Sequence, residues 1–193
     1  MSRTWYEHLV EDHEVTEQLF DAVALACALP SGPTRPFVAD VVAYLTEYVD
    51  GCHNKKEEDH LFPLLERRGV PRHGGPLAVM LAEHEQSRAL LARVGEAGLA
   101  YAAGDPSRLT GFAAAFEEYA TLVKSHYWKE NDILFAMARR VLDEADAAAV
   151  LAGIGETEAR LGPDTHERYH ALAHRVIEAG GIEDLSFGVP RET

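Results

Sequence analysis

Thiols are nearly absent from this chain. Its 193 residues include two cysteines, Cys27 and Cys52, too few for a disulfide framework and not spaced as a zinc knuckle, so both are expected to be reduced. Basic residues are scarce as well: 18 Lys and Arg stand against 32 Asp and Glu, a formal net charge of -14. That balance excludes nucleic acid and anionic membrane surfaces as partners, because little is left to displace counterions from phosphates. No window approaches the roughly 20 apolar residues of a membrane span. The N-terminal "MSRTWYEHLVEDHE" meets acidic residues before any apolar stretch, and a cytoplasmic protein is expected. No glycine-rich phosphate loop, Ser/His/Asp arrangement or CxxC pair is found, so nucleotide chemistry, acyl transfer and dithiol exchange have no visible site.

Runs of β-branched residues are rare, while Ala, Leu and Glu dominate, which favours helices. Gly and Pro gather at "LPSGPTRP" (29–36), "RRGVPRHGGP" (67–76) and "AAGDPSR" (102–108). Between these breaks the pattern predicts four long helices over about 3–29, 36–68, 76–103 and 106–142, then one or two shorter ones. The expected fold class is all-α. An antiparallel up-down-up-down four-helix bundle would occupy residues 1–145, a helical extension packing on it 146–180, and a loosely ordered tail 181–193. Pro63 lies inside the second pattern and is expected to kink or interrupt that helix.

One string occurs twice. "HNKKEEDHLF" (53–62) and "HYWKENDILF" (126–135) share HxxKExDxLF without a gap. The helices before them also match, "EDHEVTEQLFDAV" (11–23) over "AEHEQSRALLARV" (82–94), which pairs His13 with His84. Each half thus supplies a lone histidine from its first helix and an HxxxE from its second. At about 100° per residue, positions i and i+4 lie roughly 40° apart and about 6 Å along the axis, so His53 with Glu57, and His126 with Glu130, share a face. Four helices then bring His13, His53, Glu57, His84, His126 and Glu130 to one axis. Two carboxylates and four imidazoles buried without partners would cost several kcal/mol per group. A pair of cations removes the difficulty if both carboxylates bridge and each cation takes two imidazoles. A nitrogen and oxygen donor set without thiolate favours iron or manganese and admits zinc.

At these residues the chain resembles the hemerythrin-like (HHE cation-binding) family. The resemblance rests on "EDHE" around His13, "CHNKKEEDHLFPLLERRG" from Cys52, "AEHEQSR" around His84 and "SHYWKENDILFAMA" from Ser125, and covers about residues 3–142. It implies an antiparallel four-helix bundle with an oxo- or hydroxo-bridged di-iron centre. His13 and His53 would serve one iron, His84 and His126 the other, and Glu57 and Glu130 would bridge. The implied function is binding of O2, peroxide or NO in sensing, storage or detoxification. A di-iron enzyme with catalase-, peroxidase- or oxidase-like activity is the alternative, and steady O2 evolution from peroxide would reveal it. Met80 stands where oxygen carriers of the family have a further histidine, Asn131 where they have an aspartate, and Cys52 where many relatives have a histidine. A less saturated, more symmetric centre favours redox turnover or ligand exchange over reversible oxygen carriage.

Several neighbours carry plainer readings. His60, only about 20° from His53 on the wheel, is expected to be a core or supporting histidine, because its counterpart is Ile133. Glu58, matched by Asn131, is expected at the helix surface or beside a ligand, with ligation a minor possibility. Cys52 reads as a small packing residue, and Tyr48, Tyr119, Tyr127 and Trp128 read as packing aromatics ahead of an access route or electron relay. His166, His170 and His174 form an HxxxHxxxH stripe, read as a solvated or interhelical edge rather than a metal site.

Overall fold

A computed structural model describes residues 3–181; the expected loose tail lies, beyond Gly181, outside the described residues. All regular structure among the described residues is helical: α1 (Trp5–Ala28), α2 (35–67), α3 (Pro76–Ala102), α4 (109–141), α5 (Glu144–Leu161) and α6 (Thr165–Ala179). The starts follow from side chains that satisfy the orphan amides of a first turn. Thr4 with Glu7, and Asp143 with Asp146, form reciprocal capping boxes, Thr34 caps α2 ahead of Pro36, and Pro76 opens α3.

Contacts between the four long helices run in opposite directions along each pair. Tyr44 meets Thr16 and Tyr48 meets Asp12; Arg88 meets Asp50 while Gly98 meets Val42; Phe112 meets Gly98 while His126 meets His84; Lys124 meets Asp21 while Asn131 meets His13. The four-helix bundle is therefore antiparallel. Its apolar side chains form two clusters. One holds Leu19, Phe20, Val41, Leu45, Val94, Phe112 and Phe116; the other holds Trp5, Leu9, Leu61, Phe62, Leu77 and Phe135. Each fully buried Leu or Phe contributes about 1.5–3 kcal/mol, and His13, His53, Glu57, His84, His126 and Glu130 fall between the two clusters along the four helices. Helix α5 adds Val150 and Ile154 to the second cluster, and α6 adds Tyr169, Ala173, Val176 and Ile177 to the first.

Helix α2 does not break at Pro63. It underwinds instead, with π-helical stretches at Tyr44–His53 and Glu57–Leu61, and α4 underwinds at Glu130–Leu134. The amides of Asn54, Phe62 and Phe135 reach back five residues, to the carbonyls of Val49, Glu57 and Glu130. Proline is not the cause, since Ala136 occupies the matching place in α4. The cause is a burial row of period four: Val41, Leu45, Val49, His53, Glu57, Leu61 and Leu65 are all buried. In an unbroken α-helix each step of four drifts by roughly 40°, and six steps would carry the row roughly 240° around the axis. Widened turns keep it facing inward.

Close approach of α5 to α2 depends on one glycine. A Cβ on Gly153 would sit 2.2 Å from the His60 ring, whereas one on Gly155, two residues on in the same helix, would meet nothing within 4 Å. We expect Gly153→Ala to destabilise the protein by about 1–3 kcal/mol, and Gly155→Ala to be neutral or stabilising by up to about 1 kcal/mol. Paired denaturant melts check this, and equal effects at both positions would contradict the packing.

Candidate metal centre

The six residues singled out by the duplication come together, each at most 4% exposed. His13 Nε2 and His53 Nε2 lie 2.9 Å apart, and His84 Nε2 and His126 Nε2 lie 3.1 Å apart. Between these pairs stand the two glutamates. Glu57 directs one oxygen to His53 Nε2 at 3.8 Å and the other to His84 Nε2 at 3.5 Å. Glu130 directs one to His13 Nε2 at 3.4 Å and the other to His126 Nε2 at 3.2 Å. Among the described residues, none of these four carboxylate oxygens has a hydrogen-bond partner. Two groups of four donor atoms result, His13, His53, Glu57 and Glu130, and Glu57, His84, His126 and Glu130, each compact enough to hold a metal ion.

Outward-facing nitrogens are held in a matching pattern. His53 Nδ1 donates to Asp12 at 3.1 Å and His126 Nδ1 to Glu83 at 3.0 Å; His13 Nδ1 donates to the Asn131 carbonyl at 2.9 Å and His84 Nδ1 to Glu58 at 2.8 Å. These acceptors fix the tautomers, so in neutral rings every Nε2 presents a lone pair inward. The lysine of the repeated string completes each set: Lys56 bonds Asp12 at 3.0 Å, and Lys129 bonds Glu83. Two lone pairs facing each other at 2.9 Å beside unpartnered carboxylates repel one another. A cation between them turns that repulsion into ligation, and the donors suit iron, manganese or zinc.

Charge is spread unevenly between the halves. Burial, reinforced by His53, pushes His13 down to about 3. For His84 and His126 burial also opposes protonation, but the carboxylates of Glu57 and Glu58, and of Glu130 and Glu83, outweigh it and hold these rings up at about 9 and about 10. Burial would raise Glu130, yet His126 draws it below the usual carboxylate range. Burial likewise disfavours an ionised Asp12, but Lys56 and the bonds from His170 and His53 hold it well below that range.

Neighbouring residues fall mostly as read. His60 bonds Thr157 at 3.0 Å and belongs to neither donor group. Cys52 is buried, free and pushed up to about 12 by burial, which suits a packing thiol. Tyr48, Tyr119 and Tyr127 are buried, with Tyr127 stacked on His13 at 3.8 Å, while Trp128 is 58% exposed. Glu58 sits beside His84 as a hydrogen-bond acceptor. The lysine of the repeated string reads from sequence as a surface or supporting residue, but sequence reasoning missed Asp12 and Glu83, and with them the repeated supporting set. A signal was present: an acid directly precedes each lone histidine, and a lysine directly precedes each glutamate.

Two outcomes follow for the isolated protein. Loading a divalent cation at the His84 and His126 half must expel protons from imidazoles that are charged at neutral pH. Affinity there should therefore rise with pH up to about 9, by about tenfold per displaced proton per pH unit. Chelator competition at pH 6 and pH 8 measures it, and a flat profile would refute it. Lys56→Met, which strands the buried Asp12 carboxylate, should cost about 3–5 kcal/mol. At the more exposed Lys129 the same change should cost no more than about 1 kcal/mol.

Comparison with known proteins agrees with the geometry. Residues 4–138 match the family described as the Hemerythrin HHE cation binding domain. The chain is 33% identical over 144 residues to the iron-sulfur cluster repair protein DnrN of Neisseria gonorrhoeae, an alignment spanning 71% of this chain and 89% of that protein. No solved structure matches it. Four buried histidines and two carboxylates at the centre of an antiparallel bundle, within a match over residues 4–138, place the chain in the hemerythrin HHE cation-binding family.

Proposed function

We propose that the chain is a di-iron protein of stress response that takes up O2, NO or peroxide, with iron-sulfur cluster repair as the process it serves. His13 and His53 would hold one iron, His84 and His126 the other, and Glu57 and Glu130 would give one oxygen to each. The observation that carries this reading is the pair of buried glutamates, whose four oxygens lack hydrogen-bond donors while each approaches a different histidine. The printed name of the Neisseria relative supports the process. When bound, such an iron pair supplies redox change and coordination positions open to a small ligand.

The chain's own residues hold, orient and keep dry. Each cation position receives four donor atoms, fewer than iron's usual number, so a small ligand need not displace the protein. Asp12, Asn131, Glu58 and Glu83 fix ring orientation through Nδ1. Phe135 and Tyr127 stack on His13, and Phe62 stacks on His84, closing these faces to water. A void of about 10 Å3 beside His84 and His126, lined by Val49, Ser87, Tyr119 and Val123, has room for one water-sized molecule.

Reconstitution with ferrous iron should load two irons per chain, and the reduced protein should change its spectrum on adding NO. Glu57→Gln and Glu130→Gln should each lower iron retention at least tenfold. Folded protein that binds no iron, or Gln variants that keep both ions, would sink the proposal, and loss of iron in His53→Ala but not in His126→Ala would contradict the symmetric assignment.

A further inference from the structure

A third group of donors lies outside the bundle centre, where α6 crosses α1. Glu11, His166 and His170 each offer one ligand atom, all within 4.8 Å of one another. The two histidines are i and i+4 on α6 and share a face, and the carboxylate comes from a different helix, so the group forms only in the folded chain. His166 and His170 are 17% and 13% exposed, reachable from solvent yet held in place.

The tautomer of His166 suits a cation. Tyr48 has a single hydroxyl proton, which it donates to Asp12 at 2.7 Å. His166 Nδ1, 3.2 Å from the same phenol oxygen, must then be the donor in that contact, which leaves His166 Nε2 as a lone pair facing Glu11 at 3.7 Å. His170 is anchored through Nε2, 3.4 Å from Asp12. Burial, and next the neighbouring His170, push His166 below the ordinary histidine range. Beside the trio His8 turns a buried Nδ1 that has no hydrogen-bond partner among the described residues, its ring 6.0 Å from that of His166.

Surrounding charge favours a positive ion. Glu11, Asp12 and Glu158 face Lys56 and Arg3. Lys56 is already shared by Asp12 and Glu158, and the Arg3 to Glu11 pair is exposed and gives way readily. We propose that Glu11, His166 and His170 form a third site, for a divalent cation of the zinc class, with a coordination position left for water. Two imidazoles, one carboxylate and an open position are the donor set of many zinc sites. An ion there stands outside the bundle-centre set but touches it through Asp12, which accepts from both His170 and His53.

The test uses the full chain loaded with iron. After equilibration with Zn2+ and removal of excess by gel filtration, metal analysis should find one zinc per chain with both irons retained, and Co2+ titration should show one further equivalent in the visible spectrum. The double variant His166→Gln with His170→Gln should lose that equivalent and keep its iron. Glu11→Gln, a milder change at a half-exposed position, should weaken binding and serves if the double variant fails to fold. Absence of a further equivalent in the iron-loaded wild type, zinc appearing only in exchange for iron, or unchanged binding in the variants would overturn the site. If the bundle centre proves to hold no iron, the same variants still report, as one equivalent lost relative to wild type.

Discussion

Two buried carboxylates with nothing to bond set the terms for the rest of this molecule. Glu57 and Glu130 are fully buried, and among the described residues their oxygens find no hydrogen-bond donor and face imidazole nitrogens instead. Groups of this kind cost several kcal/mol each when left alone. The two apolar clusters bracket them and supply the stabilisation that lets the helices bear the strain. His84 and His126 at one end answer by taking up protons, while at the other end burial pushes His13 well below the ordinary histidine range. A bundle that needed only stability would have apolar side chains here, so the polar layer is best understood as a place prepared for positive charge.

Around that layer the support is two-fold in pattern and one-sided in surroundings. Asp12 and Glu83 play the same part, as do Lys56 and Lys129, and as do Asn131 and Glu58. Among the described residues, only the first half is roofed. Helices α5 and α6 bring Glu158, His166 and His170 over Asp12 and Lys56, which are sealed from solvent, while Glu83 and Lys129 keep 14% and 22% exposure. The small void lies on the unroofed half. The C-terminal hairpin thus turns a symmetric centre into one with a closed side and an approachable side.

Much of this was legible in the residues. Helix limits, the antiparallel order and the six converging side chains followed from hydrophobic spacing, loop punctuation and the repeated string. What escaped was of two kinds. The supporting acids and lysines looked like ordinary charged helix positions, because one-dimensional spacing does not say which charges a neighbouring helix will bury. Lys56 and Lys129 carry the same letter in the same motif, yet only the first is sealed, by a helix about a hundred positions away in sequence. The histidine stripe of α6 was legible as an interhelical edge, but the acids it faces, Glu11 and Asp12, are on α1 and were not. At Pro63 the α-helical winding is interrupted by a widened turn just before it rather than by a break in the helix, and the proline falls in the first turn of the α-helical stretch that follows.

Those widened turns bear on how the chain tolerates change in length. Where a helix underwinds to keep a row of period four on its axis, the count of residues becomes a structural quantity in itself. Adding or deleting one residue between Tyr44 and Glu57 would rotate everything downstream by roughly 100°, swinging Glu57 off the bundle axis and putting a neighbouring residue in its place. The links at 68–75 and 103–108 obey no such count, because loop length costs little and their glycines already supply the turns. Length variation in proteins built on this pattern should therefore collect at the ends of the bundle and leave the ligand-bearing turns at constant length.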